Sequence, residues 1–145
     1  MMRRGLQPGD LGDLLERPLV AVLATSRPDG EVLLSPVWHE WRDGGFTVAS
    51  SMADVKVRHL RKEPRASMLV YESVPPYRGI EVRGRAELVR EDVGEVAERI
   101  AIRYLGLERG TAYAAGAADD VVIRVVPGVL RAWDFADDFG GASEA

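Results

Sequence analysis

The spacing of apolar positions predicts a series of short strands joined by turns. Leu19–Thr25 is apolar on both faces, which is typical of a buried strand. Glu31–Trp41 and Phe46–Ser50 are the next two predicted strands, and turn residues precede them at Pro28–Gly30 and Asp43–Gly45. Consecutive strands joined by such short turns form hairpins, so the pattern predicts an antiparallel meander rather than a βαβ unit.

The second half of the chain continues this pattern. Ile80–Val89 alternates between apolar and charged residues, which predicts a half-exposed antiparallel strand. Three further strands are predicted where apolar runs lie between turn residues, and they are Arg65–Tyr71, Val121–Val126 and Val129–Phe135, with Pro127-Gly128 separating the last two.

Helical spacing is strongest between Asp92, which we expect to cap the helix, and Gly106, which we expect to end it. Shorter helices are predicted over Pro8–Glu16, Ala53–Lys62 and Thr111–Ala118, and a frayed tail over Gly140–Ala145. Six to seven strands with interspersed helices predict a mainly β (α+β) fold, a small antiparallel barrel with flanking helices. We expect one domain over residues 1–145, with a core at about 10–136 and a tail at 137–145.

Composition agrees with a small folded domain. The 145 residues are 46% hydrophobic and 29% charged, and cysteine is absent, which excludes disulfides and thiolate chemistry. A net charge of −4 argues against a nucleic-acid-binding protein. The longest apolar run, Leu19–Ala24, is too short for a membrane helix, and no apolar stretch follows the basic start Met1–Arg4. We therefore expect a cytoplasmic protein with neither a nucleic-acid nor a membrane partner.

Conventional catalytic groups are scarce in this sequence. The two histidines, His39 and His59, have no partner at metal-ligand spacing, and no serine lies in a nucleophile elbow. We expect both histidines to be partly exposed hydrogen-bonding residues, with no metal site and no catalytic side chain assigned.

A cation-rich segment, Lys56–Arg65, stands out in this acidic chain. Ser50 and Ser51 precede it, at the junction between a predicted strand and a predicted helix. Hydroxyl groups and free N–H groups at such a junction bind anions, and a lysine one turn later supplies a charge for a phosphate. A solvated cationic helix face is the alternative interpretation, and the pattern alone leaves both open.

From Leu14 to about Phe135, the order of elements resembles the pyridoxamine phosphate oxidase-like split barrels, the flavin and deazaflavin oxidoreductase superfamily. Five stretches carry the resemblance, and they are Val22–Thr25 with Pro28–Gly30, Leu34–Trp38, Ser50–Lys56 running into Leu60–Ser67, Val82–Glu87, and Arg103–Gly106 with Trp133–Phe135. The last stretch is similar to the branch that uses the deazaflavin coenzyme F420. The resemblance implies a homodimer with the cofactor in a groove at the subunit interface.

The resemblance also implies roles for particular residues. Lys56 and Ser50 would hold the cofactor phosphate with Ser51 close by, and the ring would be lined by Ser35, Val37 and Trp38. Tyr77, Arg78 and Gly79 would flank the tail or the ring edge. Oxidases that use flavin mononucleotide (FMN) have an arginine just before the lysine, where this chain has Val55. This difference favours coenzyme F420 over FMN.

The function implied is hydride transfer between reduced coenzyme F420 and a small conjugated substrate. The substrate proton would come from solvent, Arg78 or Tyr77. Two alternatives stay open: an FMN-dependent oxidoreductase of the same fold, and a non-catalytic protein that binds a flavin, a deazaflavin or haem. Trp38, Trp41, Tyr71 and Trp133 are either interface residues or ordinary packing residues.

Overall fold

The structure is a computed structural model that describes residue 3 and residues 5–143. A short 3₁₀ helix, Pro8–Leu11, comes first. The strands and helices that follow are, in chain order, β1 (Ala21–Ser26), β2 (Val32–Val37), β3 (Glu40–Arg42), β4 (Gly45–Ser51), α1 (Val55–Lys62), β5 (Arg65–Tyr71), β6 (Gly79–Val89), α2 (Val93–Leu105), α3 (Leu107–Ala114), β7 (Asp120–Trp133) and α4 (Ala136–Ser143).

The seven strands form one sheet in the order β2-β1-β5-β6-β7-β4-β3, and every neighbouring pair is antiparallel. β2 and β3 lie at opposite edges of this sheet although only Trp38 and His39 connect them. Because three peptide steps span at most about 11 Å, the sheet must curl until its two edges come close together. The predicted mainly β split barrel with flanking helices is therefore confirmed.

The concave side of the sheet carries the core. Alternate residues point inward along each strand, and Phe46 is the largest side chain that is fully buried. The core is completed by Leu11 and Leu14 from the N-terminal segment and by Val57 and Leu60 from α1. These contacts pack α1 against the barrel, chiefly against β1 and β6.

Helix α2 is joined to the barrel by ion pairs and hydrogen bonds. The Arg99 guanidinium donates to the carboxylate of the buried Glu40 through Nη2 at 2.5 Å and through Nε at 2.8 Å. Arg103 donates to the carbonyls of His39 and Arg17, each at 3.1 Å. Multiple charge-assisted bonds of this kind fix orientation, so α2 is held over the link between β2 and β3.

Two strand predictions are wrong in detail. The predicted strand Glu31–Trp41 is divided into β2 and β3, because the chain crosses there from one sheet edge to the other. Pro127-Gly128 does not separate two strands, because β7 runs through it and the pairing with β6 shifts between Arg83 and Gly84. Gly84 is the cross-strand partner of Pro127 and Arg83 that of Val129, so the extra residue is Gly128, and this β-bulge lets the strand continue past the proline.

Helix boundaries also differ from the predictions. The first predicted helix is a 3₁₀ turn over Pro8–Leu11, and Gly106 ends α2 as predicted but leads directly into α3. α4 covers Ala136–Ser143, so the predicted frayed tail is helical as far as the structure describes it, and residues 144–145 lie outside the described part. Of the predicted basic start, residues 1, 2 and 4 also lie outside it. None of the described helices is long and apolar enough to cross a membrane.

Candidate functional site

A groove of about 560 Å³ opens between the barrel and the α2–α3 pair. Its barrel side is formed by the residues that leave β2, the end of β4 and the first turn of α1. Its other side consists mainly of small residues from α2, α3 and the turn after α3. Small side chains leave space for a ligand in front of the helices. These residues are Ala97, Ala101, Ala114, Gly116 and Ala117. This volume is within the range of small-molecule sites.

One end of the groove is polar. Ser50 donates to Oδ2 of Asp54 at 2.5 Å, and the Lys56 ammonium donates to the same oxygen at 3.1 Å. These contacts lower the pKa of Asp54, with the Ser50 hydrogen bond as the largest cause. In the described chain the Asp54 carboxylate makes no capping bond to α1, so the helix begins with amide N–H groups that its N-cap side chain leaves unpaired. The Lys56 side chain is 18% exposed and has two further protons to donate.

A second carboxyl group, that of Asp120, lines the same end of the groove. Burial raises its pKa, and the neighbouring charges of Asp54 and Asp119 raise it further. Asp120 therefore retains its proton to higher pH than an ordinary aspartate, whereas Asp54 stays ionised to lower pH. The pKa values of the two carboxyl groups are thus shifted in opposite directions, that of Asp54 chiefly by its hydrogen bond from Ser50 and that of Asp120 chiefly by burial.

The other end of the groove has an aromatic wall. Trp38 stacks on Tyr104, with the ring centroids 4.9 Å apart and an angle of 7° between the planes. The Tyr113 ring is tilted against Trp38, with the centroids 5.3 Å apart. The Tyr104 hydroxyl donates to the Leu19 carbonyl at 2.7 Å and lies 3.0 Å from Nδ1 of the buried His39. A flat, anchored aromatic wall of this kind can pack against a planar ligand.

Five of the nine predicted site residues line this groove, namely Val37, Trp38, Ser50, Ser51 and Lys56. Ser35, the cross-strand partner of Leu23, is not among the residues that line the groove. Its neighbour Pro36 takes the position in the groove.

Arg78 lies in a buried ion cluster outside the groove. Its guanidinium binds the Glu72 carboxylate at 2.7 and 2.9 Å, Asp13 at 3.0 Å and the Leu11 carbonyl at 2.7 Å. Glu72 also accepts from Arg17 at 2.9 Å. The pKa of Arg78 is raised, chiefly by the hydrogen bond to Glu72, so this side chain holds its proton firmly. The contacts of Arg78 with Leu11 and Asp13 join the N-terminal segment to the sheet.

Tyr77 and Gly79 lie beside Arg78 at the start of β6. Tyr77 is exposed and packs edge-on against Phe139 at 5.8 Å. Gly79 lies directly under the Trp133 ring, where a Cβ atom would collide with the indole. The groove, in contrast, lies where β7 begins, beside the far end of β6. The single chain therefore does not bring Tyr77, Arg78 and Gly79 to the five predicted residues that line the groove.

Both histidines are buried, which corrects the prediction that they are partly exposed. His59 Nδ1 lies 3.0 Å from the Thr25 hydroxyl, and His39 contacts Tyr104. Burial lowers the pKa of His39 to about 4, and the Arg103 charge lowers it further. Hydrogen bonding was predicted correctly, but the degree of burial depends on α2 covering His39, which a local pattern does not contain.

Asp54, Asp120 and the small residues of α2 and α3 were missed in the sequence. Asp54 carries a detectable signal, since aspartate just before a helix is a common N-cap. Asp120 carries none, because it approaches Asp54 only after β7 has paired with β4.

A curled antiparallel sheet with a polar helix start at one end of a groove and an aromatic wall at the other defines a split-barrel protein with a site for a small ligand. The chain belongs to the pyridoxamine 5'-phosphate oxidase family, whose sequence profile matches residues 9–134. Among proteins with a curated description, none matches the sequence.

Solved structures agree with this assignment. An F420 reductase is 33% identical, with a TM-score of 0.72, over 86% of this chain and 98% of that chain. A conserved hypothetical protein from Mycobacterium tuberculosis is 26% identical, with a TM-score of 0.78, over 90% and 86%. An FAD-binding protein from Mesorhizobium loti is 22% identical, with a TM-score of 0.69, over 92% and 96%, and shows the shared fold alone.

Proposed function

We propose that this protein is an oxidoreductase that transfers a hydride between reduced coenzyme F420 and a small conjugated substrate. The observation that carries the proposal is the convergence of Lys56, Ser51 and the start of α1 at one end of a groove whose other end is walled by Trp38. The similarity to an F420 reductase, at 33% identity over most of both chains, supports the same cofactor. Membership of the oxidase family supports a flavin-type ring in general.

The residues of the groove fit a planar cofactor with an anionic tail. Lys56 can donate to a phosphate while it keeps its bond to Asp54, because an ammonium group has three protons. The unpaired amides of the first turn of α1 favour an anion at the same place. Ser50 was expected to hold the phosphate. Its one hydroxyl proton is donated to Asp54, so its oxygen can only accept a hydrogen bond from a ligand.

The bound cofactor would supply the hydride, and the chain would supply position and protonation. Trp38, held by its stack on Tyr104, sets one wall for the ring and excludes water from it. Asp120 is a groove carboxyl group with a raised pKa, so it can hold a proton within reach of the site. Arg78 is a poor proton source, because Glu72 keeps its pKa raised.

We further propose that the active form is a homodimer. The convex face of the sheet carries a second depression of about 530 Å³, with an apolar lining that includes Val22, Leu34, Tyr71 and Trp133. This apolar face meets the cofactor groove at β2, where the groove residue Pro36 pairs with Val22. Pairing through the apolar face would cover exposed apolar surface and close the groove. It would also move the corner at Tyr77, Arg78 and Gly79, which lies beside Trp133, towards a partner's groove.

The experiment that tests the function is a titration of the purified protein with coenzyme F420 and, separately, with FMN, followed by an assay of hydride transfer. We expect tighter binding of F420 and turnover with a conjugated acceptor. In Lys56→Ala the affinity for F420 should fall by at least about tenfold, since a charge-assisted contact contributes about 1.5–3 kcal/mol. Lys62→Ala, on the same helix but outside the groove, is the matched control and should bind F420 normally.

Each other outcome selects an alternative. Tighter binding of FMN with turnover would replace F420 by FMN in the proposal, and family membership already supports a flavin. Tight binding of a flavin, a deazaflavin or haem without any turnover would identify a binding protein. An unchanged affinity in Lys56→Ala would contradict the assigned phosphate site.

A further inference from the structure

One carboxyl group of the cofactor groove has no partner. The described lining of the groove contains three charged residues, Asp54, Lys56 and Asp120. Asp54 accepts hydrogen bonds from Ser50 and Lys56. The side chain of Asp120, in contrast, makes no hydrogen bond and no ion pair with any described residue. The charge of Asp120 is therefore available to act on a ligand in the groove.

The backbone fixes where this carboxyl group lies. Asp120 is the first residue of β7 and the cross-strand partner of Ser51, the last residue of β4. The backbone N–H of Asp120 donates to the carbonyl of Ala117 at 3.0 Å, and the N–H of Met52 donates to the carbonyl of Asp119 at 2.9 Å. These bonds hold Asp120 at the polar end of the groove, where the cofactor phosphate is proposed to bind.

The charges at this end favour a ligand with a single negative charge. The charges of Lys56 and Asp54 cancel, so an ionised Asp120 gives the described lining a net negative charge. Burial raises the pKa of Asp120, and the negative charges of Asp54 and Asp119 raise it further. A phosphate beside Asp120 would act in the same direction as these two carboxylates, so each negative charge on the ligand carries a cost in affinity.

The two candidate cofactors differ in the charge of their phosphate group. Coenzyme F420 contains a phosphodiester, which carries one negative charge. FMN contains a phosphomonoester, which carries nearly two at neutral pH. Lys56 and the amide N–H groups at the start of α1 can balance the first charge. The second charge meets no further cation in the described lining, because Lys56 is preceded by Val55, and it faces Asp120.

We infer that Asp120 selects the type of phosphate ester, because it admits the singly charged phosphodiester of coenzyme F420 and disfavours the doubly charged phosphomonoester of FMN. The inference rests on the proposed function, which takes the phosphate to lie at Lys56. It adds a residue that distinguishes the two cofactors by charge and not by the shape of the ring.

The test is a fluorescence titration of the full chain with coenzyme F420, with FMN and with riboflavin, which has the ring of FMN but no phosphate. The titrations are made at pH 8, above the second pKa of a phosphomonoester, which is about 6. In Asp120→Asn the affinity for FMN should rise by at least about tenfold and that for F420 by about threefold, because the repulsion that is removed scales with the charge of the phosphate. The affinity for the uncharged riboflavin should stay the same.

Two further variants control for other causes. Asp119→Asn removes the same charge one residue away, from an exposed side chain that does not line the groove. It should leave the ratio of the FMN and F420 affinities unchanged. Asp120→Ala removes the charge without adding a hydrogen-bond donor, and it should raise the affinity for FMN as Asp120→Asn does. Circular dichroism confirms that each variant is folded.

The outcomes separate this inference from the proposed function. An unchanged ratio of the FMN and F420 affinities in Asp120→Asn would overturn the inference, even where F420 supports turnover. An equal change in Asp119→Asn, or a change in Asp120→Asn that Asp120→Ala lacks, would overturn it as well. If the ratio changes as expected but no hydride is transferred, the inference holds and the proposed function fails. A wild type that binds none of the three ligands would overturn both.

Discussion

Burial sets the protonation of His39, the histidine that lies between α2 and the sheet. The Tyr104 hydroxyl gives its proton to the Leu19 carbonyl, so it can only accept from Nδ1 of His39. His39 is therefore neutral with its proton on Nδ1, in agreement with a pKa lowered to about 4 by burial. Its Nε2 atom is buried with no hydrogen-bond partner among the described residues. Leaving this atom unpaired destabilises the fold. The Nδ1 atom and the backbone N–H of His39, in contrast, hold the Tyr104 hydroxyl in place, and Tyr104 in turn holds Trp38.

Tyr104→Phe should release the aromatic wall of the groove. The hydroxyl accepts from the backbone N–H of His39 at 3.0 Å in addition to its bonds to Leu19 and Nδ1. Leaving these buried groups unpaired should lower the free energy of unfolding by about 1–3 kcal/mol. Trp38 should lose its fixed orientation, which near-ultraviolet circular dichroism detects. Tyr113→Phe is the control, because it removes the hydroxyl group from the other tyrosine that contacts Trp38. Since Tyr113 is exposed, this variant should change neither the free energy of unfolding nor the near-ultraviolet spectrum.

Glu72 predicts how stability depends on pH. Its side chain is 2% exposed, and the hydrogen bond from Arg78 lowers its pKa from 4.5 to about 2. A depressed pKa stabilises the folded protein above pH 4.5, and this contribution is lost as the pH falls from 4.5 towards 2. His39 adds a separate loss between pH 6.5 and about 4, because it takes up a proton more readily when unfolded.

Glu72→Gln separates the two effects. At pH 7 the variant should be less stable by roughly 2–3 kcal/mol, because Arg78 loses its buried counter-charge. As the pH falls from 4.5 towards 2, the wild type should approach the variant, because Glu72 then takes up a proton in the unfolded chain while it stays ionised in the folded protein. Urea unfolding at several pH values measures this convergence. Curves that stay parallel down to pH 3 would show that folding does not lower the pKa of Glu72.

At the residue scale, the sequence predicted the elements of the polar end of the groove but not how they pair. Ser50, Ser51 and Lys56 are neighbours in the chain, so their meeting follows from a strand that leads into a helix. The hydrogen bond that Ser50 donates to Asp54 depends on the rotamers of both side chains, which the spacing of residues in the sequence does not specify. Tyr77, Arg78 and Gly79 came from family resemblance alone, and their place in the site stays a prediction that depends on a second subunit.

Among the elements, α2 and α3 pack closely against each other. A Cβ atom at Gly110 would lie 2.6 Å from the backbone of Ile102, so the two helices approach through a position that only glycine fills. Gly110→Ala should lower the free energy of unfolding by about 1–3 kcal/mol, because the strain falls on backbone atoms. It should also weaken cofactor binding, since Tyr113 and Ala114 of α3 line the groove.

Gly94→Ala is the matched control for this prediction. Gly94 lies in the first turn of α2, where an added Cβ atom meets nothing within 4 Å. Alanine favours the helix by up to about 1 kcal/mol, so this variant should be as stable as the wild type or more stable. Thermal unfolding of both variants gives the comparison. Equal destabilisation would show that helix propensity and not the packing of α2 on α3 limits stability.

Sequence pattern predicted the strands well where they alternate and poorly where the chain changes edge. β6 alternates between core and solvent as expected, because its register with β5 and β7 buries one face. The division of Glu31–Trp41 is not visible locally, because the pattern is interrupted at Ser35-Pro36, whereas β2 runs on to Val37 and the division falls at Trp38 and His39. It follows only from the closing of the sheet, which is a property of all seven strands together.

For the whole molecule, the unexplained surface is the apolar face on the convex side of the sheet. Leu34 is 64% exposed and Tyr71 47%, both on strands that also carry core residues on their other side. An apolar area of this kind beside a ligand groove is typical of a protein interface. The proposed homodimer accounts for both features, because the partner would cover the apolar residues and complete the groove.

Leu34→Lys tests this link between assembly and binding. A charge on the apolar face would have to be buried on pairing, so the variant should be monomeric in sedimentation experiments, whereas the wild type should be dimeric. Because Leu34 is exposed in the single chain, the variant should fold normally, and yet its affinity for the ring cofactor should fall. Leu107→Lys, at an apolar residue of α3 that is 73% exposed, should remain dimeric and bind the cofactor. A monomeric wild type that binds the cofactor fully would show that the groove of one chain is sufficient, and the apolar face would then need a different explanation.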